Sequence, residues 1–173
     1  MQVEYLSVPV EEKDAEDLSE KTAAGKFPML EFEDGITCIS EPLSIARVFS
    51  NNKLGFYGPS VADKARIDEW IDIITLNVVP MSVSLVRQAR GQQESDLRAF
   101  SQQLGEFRNS LARFEKHLQL RNFLVGYQLT LADVYLISAL VEPFKQFFDK
   151  KTRMAKFANL TRYMTLNLEG FHF

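Results

Sequence analysis

A chain of 173 residues, 46% of them hydrophobic and 14 of them Phe, has enough apolar material for one core or for two small layers. Its net charge of −3 gives no global positive field toward nucleic acid or an anionic membrane, and its single cysteine, Cys38, excludes an internal disulfide and fits a reducing compartment. No apolar run approaches the roughly 18 residues that span a bilayer, and MQVEYLSVPVEEKDAED lacks the cationic start and apolar centre of a secretory signal, so a soluble cytosolic chain is expected.

Residues 3–8, VEYLSV, have the β-branched and aromatic content of a short strand, closed by Pro9. The acidic stretch that follows, EEKDAEDLSEKTAAG, reads as a solvated face ending at Gly25. Next, MLEFE and ITCIS flank Asp34-Gly35, the pattern of a hairpin with a two-residue type I′ turn, whose positive φ Gly tolerates and Asp accepts. A helix then starts at Glu41-Pro42. Proline lacks only an amide that would be orphaned there, and the carboxylate meets the positive helix end; the apolar face is Ile45, Val48 and Phe49.

NNKLGFYGPS, residues 51–60, reads as a linker between two layers. Everything after it has helical spacing. Ser60 and Asp63 suit a capping box, in which a hydroxyl and a carboxylate satisfy end amides reciprocally, and Ile67, Trp70, Ile71 and Ile74 form one face. The clearest periodicity is Leu97, Phe100, Leu104, Phe107, Leu111, Phe114 and Leu118, with steps of three and four. It suits a coiled-coil partner helix or, as neighbouring apolar faces favour, a bundle helix packed within its own domain. Gly105 in that seam is expected to mark a close helix contact, and His117 to face solvent beside it. Thr130 and Asp133 form a second box with Leu129 and Val134 as its hydrophobic staple, and the helix beyond is apolar nearly all round, which predicts burial on every side. The fold class is therefore α+β: a small layer over 1–50, a linker over 51–60 and an all-helical domain over 61–173.

Catalytic constellations are sparse. Cys38 lies in the middle of a hairpin strand, away from any helix N-terminus or obvious cation, and reads as a buried filler. His117 and His172 have no spaced partner for a metal site or a triad, and neither a P-loop nor GxGxxG occurs. Lys145, Lys150, Lys151, Arg153, Lys156 and Arg162 interleave with Phe147, Phe148 and Phe157. Nucleic acid could use such a patch, but a solvated helix end with its aromatics turned inward suits the acidic overall charge better.

The pattern resembles the glutathione transferase fold, a thioredoxin-like half joined to a helical half. Phe27-Pro28 stands where that family carries a proline, usually cis, before the hairpin; Glu41-Pro42-Leu43-Ser44-Ile45 stands at its Glu-Ser-x-x-Ile turn; Leu129 to Asp133 matches its Ser/Thr-x-x-Asp box. More narrowly, VEYLSVP, AAGKFPMLEFEDG, the Trp70 segment running to VVPMS, FLVGYQLTLAD and KFANLTRYM are similar to the transferase-like domains of elongation factor 1 gamma subunits. In KFANLTRYM, Ala158 and Tyr163 stand at that group's Pro and Trp positions. The box and this ending also resemble domains attached to aminoacyl-tRNA synthetases and their scaffold proteins.

The resemblance implies a vestigial glutathione cradle. Phe27's backbone, preceding Pro28, would pair with the cysteinyl unit, Lys26 would meet a carboxylate, and Glu41 and Pro42 would border the γ-glutamyl end. Pro42 replaces the family's hydroxyl, and the strand–helix unit that carries the family's thiol-activating Tyr, Ser or Cys is expected to be missing before VEYLSV. A thiol that titrates near 8.5 needs such a donor to react at neutral pH. The implied function is a non-catalytic scaffold domain of the translation machinery, without metal or cofactor and with glutathione at most a ligand. Its implied partners are elongation factor 1 exchange subunits or aminoacyl-tRNA synthetases, with a homodimer as a further mode and no direct nucleic acid or membrane contact. The alternatives are a glutathione transferase enzyme and an adaptor of a synthetase complex.

Overall fold

The computed structural model describes residues 21, 25, 27–51, 55–94 and 96–169. The strand expected over 3–8 lies outside them, as does most of the acidic segment and Lys26. Contacts divide the chain into two compact units, Met1–Gly55 and Phe56–Phe173.

In the first unit, β1 (Leu30–Glu31) pairs antiparallel with β2 (Cys38–Ile39), Leu30 opposite Ile39 and Glu31 opposite Cys38. The connection is longer than the expected two-residue type I′ turn. Phe32 N–H donates to the Thr37 carbonyl at 2.9 Å, and Gly35, at φ +66°, donates to the Phe32 carbonyl at 3.0 Å. The reason is the Asp34 carboxylate: it accepts from the Ile36 amide (2.9 Å), the Thr37 amide (2.8 Å) and the Thr37 hydroxyl (2.6 Å), a local alternative to ladder pairing. The Thr37 hydroxyl bond and then the two amides hold this carboxyl below its ordinary value. The helix α1 (Pro42–Phe49) follows, half-buried from Leu43 to Phe49.

The second unit contains α2 (Val61–Asn77), α3 (Val79–Ala89), α4 (Leu97–His117) extended by a 3-10 turn at Leu118–Leu120, α5 (Leu131–Phe147), α6 (Lys150–Lys156) and α7 (Ala158–Glu169). Ser60 and Asp63 close α2 reciprocally: Asp63 N–H donates to the Ser60 hydroxyl at 3.1 Å, and the Asp63 carboxylate accepts from that hydroxyl at 2.6 Å. α5 packs on α2 and α3, and α4 packs on α3 and α7. Their shared core includes Ile67, Ile71 and Ile74 of α2, Leu85 of α3, Phe107, Leu111 and Phe114 of α4, and Leu136 and Leu140 of α5. The α4 seam is thus a bundle face inside its own unit. It is fully buried only from Phe107 onward; in the first turn Phe100 meets Phe147 edge-on at 5.8 Å and is half-buried, while Leu97 is 87% exposed.

Several details differ from expectation. Gly105 has no atom within 4 Å of where a Cβ would sit, so it marks no close helix contact. Ser138 and Val141 leave one strip of α5 open, so that helix is not buried on every side. By length and composition alone Val61–Ala89 could cross a membrane, correcting the expectation that no stretch could. Here it is two helices interrupted at Val78, which bury Ile67, Ile71, Ile74, Val78 and Leu85 within the unit.

Candidate functional site

Of the cradle residues named from sequence, Phe27, Pro28, Glu41 and Pro42 sit at one end of the two-stranded sheet. Phe27-Pro28, joined by a cis peptide, leads into β1, and Glu41-Pro42 leaves β2, so the antiparallel register brings the two pairs to the same side. Phe27 is 52% exposed, and Pro28, Glu41 and Pro42 are exposed as well. Among the described residues no side chain caps the start of α1, a kind of helix end that can offer amides to an anion. Pro42 contributes neither an amide proton nor a hydroxyl there. Cys38 is half-buried in β2. Among the described residues, no group of three or more His, Cys, Asp or Glu is placed to hold a metal ion.

The polar groups of the second unit are tied down by packing. Asp133 is fully buried at the start of α5 and receives four donors: Oδ1 from Leu124 N–H (2.8 Å) and Tyr163 Oη (2.9 Å), Oδ2 from Thr130 N–H (2.8 Å) and Thr130 Oγ1 (2.7 Å). One carboxylate thereby joins α5, the loop before it and α7. Burial raises the Asp133 carboxyl above its ordinary value, outweighing the downward pull of those hydrogen bonds. Burial first, and the facing Asp133 charge second, raise the Tyr163 phenol well above its own. Neither group reaches solvent, so neither can exchange a proton with a bound substrate.

A second cluster joins α4 to α7. The Glu115 carboxylate lies over the first turn of α7, accepting from Asn159 N–H (2.9 Å), Asn159 Nδ2 (2.8 Å) and Leu160 N–H (2.8 Å). One turn later Arg162 reaches back, donating to the Leu118 carbonyl (2.7 Å), the Arg121 carbonyl (3.0 Å) and Asn122 Oδ1 (2.6 Å). Asn159 and Arg162 of KFANLTRYM thus hold the end of α4 from both sides. His117 does not face solvent as expected: its Nε2 lies 2.9 Å from the Leu124 carbonyl, which requires a proton on that nitrogen, and its ring packs 4.4 Å from Trp70. The aromatics of the basic segment turn inward; Phe148 packs on Phe144 (5.1 Å) and Phe157 (5.3 Å) and carries the Arg108 guanidinium at 5.6 Å. In sequence, Glu115 and His117 read as ordinary polar positions beside the seam, and Arg162 as one charge of a basic cluster.

The model of the glutathione S-transferase C-terminal domain matches residues 72–166. The chain belongs to that family. Elongation factor 1-gamma of Sus scrofa is 32% identical over 143 residues, a match covering 83% of this chain and 32% of that protein. The chain therefore spans about a third of the length of the curated relatives it matches. Among solved structures, the transferase-like domain of elongation factor 1-gamma from Saccharomyces cerevisiae aligns with a TM-score of 0.75 at 15% identity, covering 88% of this chain and 72% of that one. The monomeric glutathione S-transferase Na-GST-3 of Necator americanus aligns with a TM-score of 0.68 at 26% identity, covering 87% and 72%. The transferase-like fold, with a small sheet-bearing unit and a larger helical one, is thus what this chain adopts. Within that fold, the Asp133 box and the Asn159–Arg162 clasp are framework, and the only expected ligand edge among the described residues is the sheet end at Phe27 and Glu41.

Proposed function

We propose that this chain is a non-catalytic protein-interaction domain of the cytoplasmic translation machinery, acting as the transferase-like domain of an elongation factor 1-gamma scaffold. The observation that carries the reading is the 32% identity to elongation factor 1-gamma over 83% of the chain. The partners it implies are elongation factor 1 exchange subunits, with aminoacyl-tRNA synthetases as the second group. The domain boundaries we assign are 1–50, 51–60 and 61–173. At the cradle, Phe27, Pro28, Glu41 and Pro42 form the remnant of a glutathione site, to which we also assign Lys26; an exposed proline at the helix start supplies no hydroxyl to a γ-glutamyl carboxylate, which supports ligand loss. Glutathione conjugation to an aryl chloride electrophile tests the non-catalytic part. The expected rate is that of the uncatalysed reaction, and robust turnover would establish a transferase instead.

A further inference from the structure

The loop between α4 and α5 combines a rigid backbone with unusually exposed side chains. The Leu124 amide is held by Asp133 at 2.8 Å and the Leu124 carbonyl by His117 at 2.9 Å; Arg162 holds the Arg121 carbonyl at 3.0 Å and Asn122 Oδ1 at 2.6 Å. From this anchored segment Tyr127 projects with 100% exposure and Leu120 with 92%. Large apolar side chains on a preorganised frame lose little conformational entropy when a partner covers them, and Tyr and Arg are the residue types that dominate interface energetics.

The surface around them is concave. Leu120, Phe123, Gly126 and Tyr127, with Arg66 and Arg121, line a depression of about 550 Å³. Gly126 and Tyr127 also border a second depression of about 240 Å³, which reaches Ile67, Val125 and Asp63. Tyr127 is the ridge between the two. In an extended peptide, residues i and i+2 point to the same side about 7 Å apart, so one strand can place successive side chains in the two hollows. Both arginines are exposed on the larger hollow; the described contacts give the Arg66 side chain no ion pair and the Arg121 guanidinium a 3.4 Å bond to the His117 carbonyl. The smaller hollow carries the Asp63 carboxylate, which is committed to Ser60 but still disfavours a phosphate backbone continuing across the ridge.

We propose that the two hollows flanking Tyr127 bind a short, extended acidic peptide segment of a protein partner, with apolar side chains in the hollows and carboxylates on Arg66 and Arg121. The proposal rests on the interaction-domain reading and names the chemistry of one surface that reading would use. The test is amide NMR of the full chain, titrated with a pool of amide-capped heptapeptides in which every second residue, hence one face of the extended chain, reads Glu, Glu and then two of Leu, Phe or Trp, with Ser between them. A matched pool with Gln for Glu and a single-stranded RNA hexanucleotide serve as comparisons.

The expected result is saturable shifts at Leu120, Phe123, Gly126 and Tyr127 with the acidic pool, at least tenfold weaker with the Gln pool. Tyr127→Ala and the pair Arg66→Glu with Arg121→Glu should each weaken binding at least tenfold; all three sites are exposed, so the variants fold. No localised shift at millimolar peptide, equal binding of the Gln pool, or tighter binding of the RNA would overturn the proposal. Complex formation with exchange subunits read in parallel separates the two claims. If Tyr127→Ala removes peptide binding yet leaves that complex intact, the surface serves another acidic partner; if the chain forms no such complex at all, the broader reading fails whatever the peptides do.

Discussion

The Ser82 hydroxyl of α3 donates to the Ala139 carbonyl of α5 at 2.8 Å. Pro143 stands one helical turn after Ala139 inside α5 and has no amide to offer that carbonyl. The contact between α3 and α5 therefore supplies the hydrogen bond that the helix forgoes, and Ser82 and Pro143 are both buried around it.

Ser82→Ala should leave a buried carbonyl unpaired and lower stability by about 1–3 kcal/mol. Placing an amide back at 143 by Pro143→Ala should shrink that loss, since the helix can then satisfy Ala139 itself. Chemical denaturation of the two single variants and the double variant gives the coupling; strictly additive losses would contradict it.

Glu115→Ala should uncap α7 by removing three acceptor contacts at Asn159 and Leu160, costing about 2 kcal/mol. Glu115→Gln keeps one acceptor oxygen and should cost less. Hydrogen exchange at the Leu160 amide reads the local effect: faster exchange in the alanine variant is expected.

Asp133→Asn should destabilise the helical unit by about 2–4 kcal/mol near neutral pH, because an amide nitrogen must face donors that now meet a carboxylate oxygen. The pH dependence has a definite sign. Burial raises the folded-state carboxyl above 3.8, so between that value and its raised pKa the native state holds more protons than the unfolded chain. This contribution is full below 3.8 and is lost as pH rises through the raised pKa. Asp149 runs the other way: the Thr152 hydroxyl first and the Thr152 amide second lower its pKa, so its contribution is present above 3.8 and fades as pH falls. Unfolding curves of Asp133→Asn and Asp149→Asn against the parent, from pH 7 to 3, should show differences that drift in opposite directions.

At Gly58, φ is +75° and an added Cβ would lie 2.6 Å from the Cβ of Asp63. Gly58→Ala should therefore cost more than Gly126→Ala, where φ is +66° but the space is open. Backbone conformation alone predicts about 1–2 kcal/mol at Gly126, with the clash at Asp63 adding to that at Gly58. Thermal unfolding of both variants checks the order.

What could be read from sequence was what is local. Ser60 with Asp63, and Thr130 with Asp133, lie three residues apart and announce helix starts through residue type alone. The seam through Phe107, Leu111 and Phe114 shows itself by spacing. The Glu115 clasp joins residues 44 positions apart, and the His117 bond reaches into a loop whose path no periodicity encodes. At the hairpin, Asp34-Gly35 suits both a type I′ turn and a longer loop; the Thr37 hydroxyl and amide, both bonded to Asp34, decide for the second. At the sheet end, Phe27, Glu41 and Pro42 were recognisable only through family resemblance, since no charge pattern or spacing marks a glutathione edge.

If, as proposed, this domain scaffolds translation factors, the purified chain should sediment with purified elongation factor 1 exchange subunits as a stable complex, with or without glutathione. Independent sedimentation of every component, together with glutathione turnover by the chain, would contradict it.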